Sequence, residues 1–274
     1  MTTSEQNDNR LNKALAVHQL LIEEYGQQAW HPRLDPLSEL IFTILSQNTS
    51  DVNRDRAWVR LKGRFPTWES VLAADTAELA EAIRPGGLAN VKAPRIQEAL
   101  RAIKQEQGEF TLDFLAEMEV DEAKRWLTSL HGVGPKTAAI VLLFSLGKPA
   151  FPVDTHVHRV SRRLGLIGPK ISREKAHEVL EELLPHEIYF TFHLNLITHG
   201  REVCKSQQPR CAACVLQEHC DFYRTVRVNG SESLGIQEVE HLIHRVKGAE
   251  LTLGSGLVCG SFHCLPLGIV KSRV

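Results

Sequence analysis

Four cysteines near the end of the chain restrict its possible folds more than any other feature. Cys204, Cys211, Cys214 and Cys220 follow the spacing C-x6-C-x2-C-x5-C. Four thiolates within seventeen positions can converge on one inorganic centre without a preceding fold-wide arrangement. A tetrathiolate holds either zinc or a 4Fe-4S cluster. Zinc sites favour two tight C-x2-C knuckles, and only Cys211 and Cys214 make one, so the wide, uneven loops suit the larger cubane while zinc stays open on the residues alone. A disulfide framework is the weaker reading, because the six-cysteine chain starts with a polar segment, Met1 to Arg10, that does not resemble a secretory signal. Cys259 and Cys264 lie in the C-terminal tail and receive no role.

At 274 residues, 43% hydrophobic and 24% charged, the chain has material for one large or two modest apolar cores. No run approaches the roughly 18 apolar residues that a membrane span requires. A formal charge of -1 gives no global electrostatic case for a polyanionic partner, so any such case must rest on local patches. Helical periodicity dominates, and almost nothing reads as a strand. Leu15, Leu20, Leu21 and Ile22 form one apolar stripe, and Pro36 stands at a first helical position behind Asp35. Asp51, Asp75, Thr111, Asp121 and Ser172 read as N-caps, whereas Gly63, Pro85-Gly86-Gly87, Gly108 and Gly165 read as ends. Short connections between these helices predict a mostly α protein. Residues 225–274 are Gly-rich and lack a sustained period, and form an appendage without an assigned role.

Leu130 to Ala138, with Gly132 and Gly134, lies between two helical stretches and reads as a helix-hairpin-helix. Glycines ahead of a helix leave backbone N–H groups pointing outward at its positive end, a seat for a DNA phosphate, although the same G-x-G could be only a short turn between helices. Lys136 closes this motif. Asp154 follows eighteen residues later, in Phe151-Pro152-Val153-Asp154-Thr155-His156, at a predicted helix N-terminus. A partly desolvated lysine amine can attack the anomeric carbon of a sugar and form a Schiff base. A carboxylate beside that sugar can stabilise the positive charge that builds as a glycosidic bond breaks. Taken singly, such a lysine is usually a solvated face and such an aspartate usually a cap.

The cysteine spacing, the hairpin and the Lys136–Asp154 pair together resemble the endonuclease III family, over roughly residues 11–223. The resemblance implies an all-α fold of two helical domains. Residues 33–147 would form a contiguous domain with the hairpin, and 1–32 plus 148–224 a discontinuous one with a C-terminal 4Fe-4S loop held by Cys204, Cys211, Cys214 and Cys220. Lys136 and Asp154 would be catalytic. Leu45 to Asp51 resembles the family's serine–glutamine loop, in which Gln47 would fill the space left by a flipped base. Gly87 to Ala93 resembles its second loop, with Leu88 intercalating and Lys92 and Arg95 meeting phosphates; the residues alone allow Gln47 as a helix cap and Leu88 as core. Gly132, Gly134 and Arg159 would contact the DNA backbone, within a basic face that also carries Lys148, Arg162, Arg163, Arg201, Lys205 and Arg210. Glu78, Glu81, Glu117, Glu119, Glu181 and Glu182 are placed on outer faces. His131 and Pro135 depart from the residues usual in the family's hairpin, which removes one basic neighbour of Lys136.

The implied activity is base excision of oxidised pyrimidines from double-stranded DNA, with lyase cleavage at the abasic site, by a cytoplasmic, nucleoid-associated monomer. A mismatch-type thymine or uracil glycosylase without lyase activity, and a non-catalytic DNA-binding module, are the competing classes.

Overall fold

Most helices of the chain begin where a side chain can satisfy the first free backbone N–H groups. In the computed structural model, which describes residues 3–226, Asp35 caps α2 (Pro36–Ser46) by accepting from Ser38 N at 2.9 Å, with Pro36 in the first turn. Ser50 rather than Asp51 caps α3 (Asp51–Arg64), and Thr67 and Ser70 form a reciprocal capping box on α4 (Trp68–Ala73). Asp75 caps α5 (Thr76–Ile83), Asp154 caps α9 (Thr155–Leu164) and Ser172 caps α10 (Arg173–Leu183). The first helix, α1, spans Thr3–Tyr25, and α6 spans Ala89–Gln107 up to Gly108. Two further expected caps shift: α7 (Val120–Ser129) follows Glu119 instead of Asp121, and Thr111 accepts from Asp113 N ahead of a short 3-10 turn, Asp113–Ala116. Gly63 does not end α3 but sits in its last turn. The series closes with α8 (Pro135–Leu146) and α11 (Tyr189–Glu202), and there is no strand among the described residues.

The buried apolar side chains sort into two clusters. One gathers α2 to α8, with Leu40, Ile41, Leu45, Leu61, Leu79, Ile96, Leu100 and Leu127 at 0% exposure. The other gathers α1 and α8 to α11 around Phe151, Val157, Leu180, Tyr189, Phe192 and Leu196. The α1 stripe that faces it is Ala14, Val17 and Leu21, whereas Leu15 turns outward at 39% exposure.

One helix serves both clusters. Ala138, Ala139, Val141 and Leu142 of α8 face the first, and Ile140, Leu143 and Phe144 face the second. A helix packed on opposite sides must be apolar all round, and PKTAAIVLLFSL meets that demand after its first turn. Each fully buried leucine of this kind contributes about 1.5–3 kcal/mol of transfer free energy. The described residues to Thr225 belong to one compact unit, and the tail bearing Cys259 and Cys264 lies outside the described residues from residue 227 onward. Among the described residues no helix is long and apolar enough to cross a membrane.

Candidate active site

A cleft of about 630 Å³ opens where α2, α8, α9, α10 and α11 meet, and Lys136 and Asp154 both line it. Lys136 reaches it because Pro135 and Lys136 are the first two residues of α8, whose remainder is fixed between the two cores. Burial pulls the amine below the usual lysine range. Asp154 and Asp51 oppose that shift, and Arg173 and Arg201 add to it. Asp154 lines the cleft from the N-terminus of α9. One carboxylate oxygen accepts from His156 N at 2.8 Å and Val157 N at 2.7 Å, the two N–H groups that an N-cap should satisfy. Its other oxygen makes no hydrogen bond among the described residues.

The segment that carries Asp154 is held by two histidines that the sequence reading did not single out. His177 of α10 donates from Nδ1 to the Phe151 carbonyl at 2.9 Å, and His193 of α11 does the same to Pro152 at 2.9 Å. Burial, opposed by these bonds, lowers both pKa values to about 4, so both rings are neutral at ordinary pH. Both also line the cleft. The remaining wall is cationic and aromatic. Arg33 lies over Phe144 at 4.8 Å and Phe42 at 5.1 Å while pairing with the fully buried Glu39, and Arg54 lies over Phe42 at 4.4 Å. Asp51 bridges Arg54 at 2.9 Å and Arg201 at 2.8 Å, which holds its carboxyl below the usual range despite partial burial.

Gln47, the residue after α2, lines the same cleft and donates from Nε2 to the Gly132 carbonyl at 3.3 Å. Leu88 does not line it. It stands on the surface at 53% exposure, in the left-handed conformation with φ 51°, where a leucine is uncommon; Asn48, beside Gln47, has φ 52°. Gly132 has φ 82°, and a Cβ there would come within 2.8 Å of the Arg95 side chain, so both backbone and packing demand glycine. Gly134 is different: a Cβ would meet nothing within 4 Å.

Three basic residues expected to meet phosphates make contacts within the protein. Lys92 is 1% exposed, with its ammonium on two backbone carbonyls. Arg95 packs on the hairpin beneath Gly132. Arg159 directs its guanidinium to the carbonyls of Gly200 at 2.8 Å and Cys204 at 3.0 Å, and so braces α9 against the cysteine loop. Glu181, placed by sequence on an outer face, instead accepts from Phe151 N at 2.8 Å and pairs with Lys124 at 2.7 Å.

The four cysteines line a second, small and apolar pocket with Val160, Leu164 and Leu216. N–H groups point at the sulfurs: Arg163 Nη1 lies 3.3 Å from Cys204 Sγ, and Tyr223 N lies 3.4 Å from Cys220 Sγ. Burial raises the thiol pKa values of Cys211, Cys214 and Cys220, that of Cys214 to about 11, and neighbouring cysteines add to each shift. Among the described residues no three histidine, cysteine or carboxylate groups are set to hold a single metal ion.

Residues 41–186 match the family described as HhH-GPD superfamily base excision DNA repair protein. An endonuclease III of Thermotoga maritima is 38% identical over 194 residues, 71% of this chain and 86% of that protein. A solved non-covalent endonuclease III–DNA complex superposes with TM-score 0.66 at 30% identity, covering 82% of this chain and 98% of that one. A trapped endonuclease III–DNA covalent intermediate gives TM-score 0.64, also at 30% identity, over 82% and 99% of the two chains.

Proposed function

The chain belongs to the HhH-GPD superfamily of base excision DNA repair glycosylases, and from that premise we propose that it is a bifunctional enzyme that removes oxidised pyrimidines from DNA and then cleaves the abasic strand. The observation that carries the lyase half is the presence of Lys136 and Asp154 on one cleft, with burial favouring the neutral, nucleophilic amine. The Lys136 amine attacks C1′ of the extruded nucleotide, and the base departs with the electrons of the glycosidic bond. The nitrogen lone pair then breaks C1′–O4′ as a proton passes from the amine to O4′, giving an open-chain Schiff base, and loss of a C2′ proton expels the 3′ phosphate and breaks the strand. Asp154 faces the charge that develops at the sugar. Its capping bonds fix where that charge can be met.

The same reading assigns the rest of the cleft. Gln47 enters the space of the extruded base, and Leu88 wedges the stack from its exposed turn. The open backbone at Gly134, ahead of the α8 N-terminus, receives a phosphate that no protein side chain contests. On this reading the two apolar clusters, both of which include side chains of α8, are taken as the two helical domains of the family.

Cys204, Cys211, Cys214 and Cys220 would hold a 4Fe-4S cluster. Their sulfurs line one apolar pocket, and N–H donors are aimed at those of Cys204 and Cys220, an environment that suits a thiolate-held cluster. When bound, the cluster cross-links the loop; no electron is needed for hydrolysis or elimination at a sugar.

Borohydride trapping on an abasic duplex tests the reading. The wild type should give a covalent adduct, and Lys136→Gln should abolish adduct and strand nicking while DNA affinity changes little, because one charge among several contributes modestly. Nicking by Lys136→Gln at the wild-type rate would take the lyase step away from Lys136, and a wild type that released base with neither adduct nor nick would move the monofunctional reading ahead.

A further inference from the structure

Lys92 is a cation buried to 1% exposure, in the wall between two turns, and no carboxylate pairs with it among the described residues. Its Nζ donates to the Leu45 carbonyl at 2.7 Å and to the Gly86 carbonyl at 2.8 Å. Both acceptors lie at the ends of helical segments: Leu45 in the last turn of α2, Gly86 closing the 3-10 turn Arg84–Gly86. Carbonyls at such ends lack helical partners and carry the negative pole of the helix, so one ammonium satisfies two orphan acceptors of like sign that would otherwise repel. The two turns touch as well, since a Cβ on Gly86 would stand 3.6 Å from the Leu45 oxygen. Burial lowers the Lys92 pKa to about 8, and an amine in either charge state still has the two N–H donors these bonds need.

What lies just beyond each anchor gives the lysine its consequence. Gln47 comes two residues after Leu45, and Leu88 comes two residues after Gly86. Each turn contains a non-glycine residue with positive φ, Asn48 at 52° and Leu88 at 51°, a conformation that persists only where the surroundings hold it. Gln47 is tied in turn to the hairpin through the Gly132 carbonyl. A continuous series of contacts therefore runs from the hairpin through Gln47, the end of α2 and Lys92 to the Leu88 turn.

We propose that Lys92 is a positioning residue that locks the Gln47 turn to the Leu88 turn, so that the group filling the vacated base position and the group wedging the stack meet the duplex at a fixed separation. This inference rests on the DNA-repair reading above. Lys92 touches no substrate; it acts through the two turns.

The test compares single-turnover borohydride trapping of the full chain on one abasic oligonucleotide, as a duplex and as a single strand. The single strand presents its sugar without extrusion. In duplex, Lys92→Met should slow trapping by about tenfold or more, and on the single strand by less than about threefold, as expected when a small misplacement of positioning groups obstructs extrusion. Lys92→Gln keeps two N–H donors on a shorter stem, should fall between the two, and serves if the methionine variant does not fold. In a Gln47→Ala, Leu88→Ala background, Lys92→Met should add less than about twofold, because the groups it positions are already gone. Equal losses on duplex and single strand, or full additivity with the double variant, would overturn the proposal. Failure of the wild type to trap on either substrate would instead strike the parent reading.

Discussion

Asp154 has two separable tasks, and its hydrogen bonds predict how to divide them. As the N-cap of α9 it accepts from His156 N and Val157 N at 2.8 and 2.7 Å; on the proposed function it is also the charge that meets the sugar in the cleft. Asparagine caps about as well as aspartate, so Asp154→Asn loses only the charge at the helix N-terminus, about 0.3–1 kcal/mol. Asp154→Ala also loses the cap, typically about 0.5–2 kcal/mol more. At about 2–4 °C per kcal/mol for a chain of this size, the alanine variant should melt detectably below the asparagine variant, and the latter close to wild type. Catalysis should sort otherwise. Both variants lack the carboxylate, and both should lose about 10²–10³ in single-turnover base release, equivalent to roughly 2.7–4 kcal/mol. Thermal unfolding and base release on the same preparations give the comparison. An asparagine variant that releases base within about threefold of wild type would show that the carboxylate is only a cap, and equal melting of the two variants would remove the cap.

Three further outcomes follow from the geometry. Protein purified without chelators should be yellow-brown with about four irons per chain, and Cys211→Ser or Cys214→Ser should bleach it and weaken DNA affinity before the chemistry; one stoichiometric zinc in colourless protein would refute the cluster. Because burial lowers the Lys136 pKa, trapping should rise with pH and level off below the roughly 10.4 of a free lysine, and a rise that continues through that value would contradict the burial. His177 and His193, at about 4 when folded against an unperturbed 6.5, bind fewer protons in the folded than in the unfolded state between those values. Stability should therefore fall with acidification through that window, by on the order of 3 kcal/mol from His177 with His193 adding in the same direction, and denaturant melts that stay level from pH 6.5 to 4 would refute it.

The signals legible in the sequence are those written within one short segment. Four cysteines in one loop, two glycines ahead of α8 and an aspartate ahead of α9 each state their local geometry, and the structure places Lys136, Asp154 and Gln47 on one cleft and the four cysteines on another pocket. Signals that depend on distant partners were not legible. His177 and His193 stand 23 and 39 residues beyond Asp154, and only the packing of α10 and α11 on the Phe151–Pro152 segment turns them into its supports. Lys92 follows the Leu88 loop at the start of a helix and reads as a phosphate-facing cation, yet two helix ends draw it inside. The α3 cap shifted by one residue for a simpler reason: Ser50 and Asp51 can both cap, and the extended backbone of Ser50, with φ −79° and ψ 157°, decides between them.

The division of α8 between the two cores bears directly on where the candidate nucleophile sits. Most of the cleft wall that carries Gln47 comes with α2, which packs along α8 in the first core, while Asp154, His177 and His193 come with the second. A nucleophile placed on either core alone would move with one wall and not the other. Lys136 stands instead at the N-terminal end of the element that both cores grip, and Thr137 and Ala138 behind it are 4% and 0% exposed. Close-packed interiors transmit displacement rather than absorb it, so the backbone at Lys136 is referenced to both walls at once. The Lys136 side chain therefore extends from a backbone held with the precision of a core residue, which suits the covalent step proposed for it.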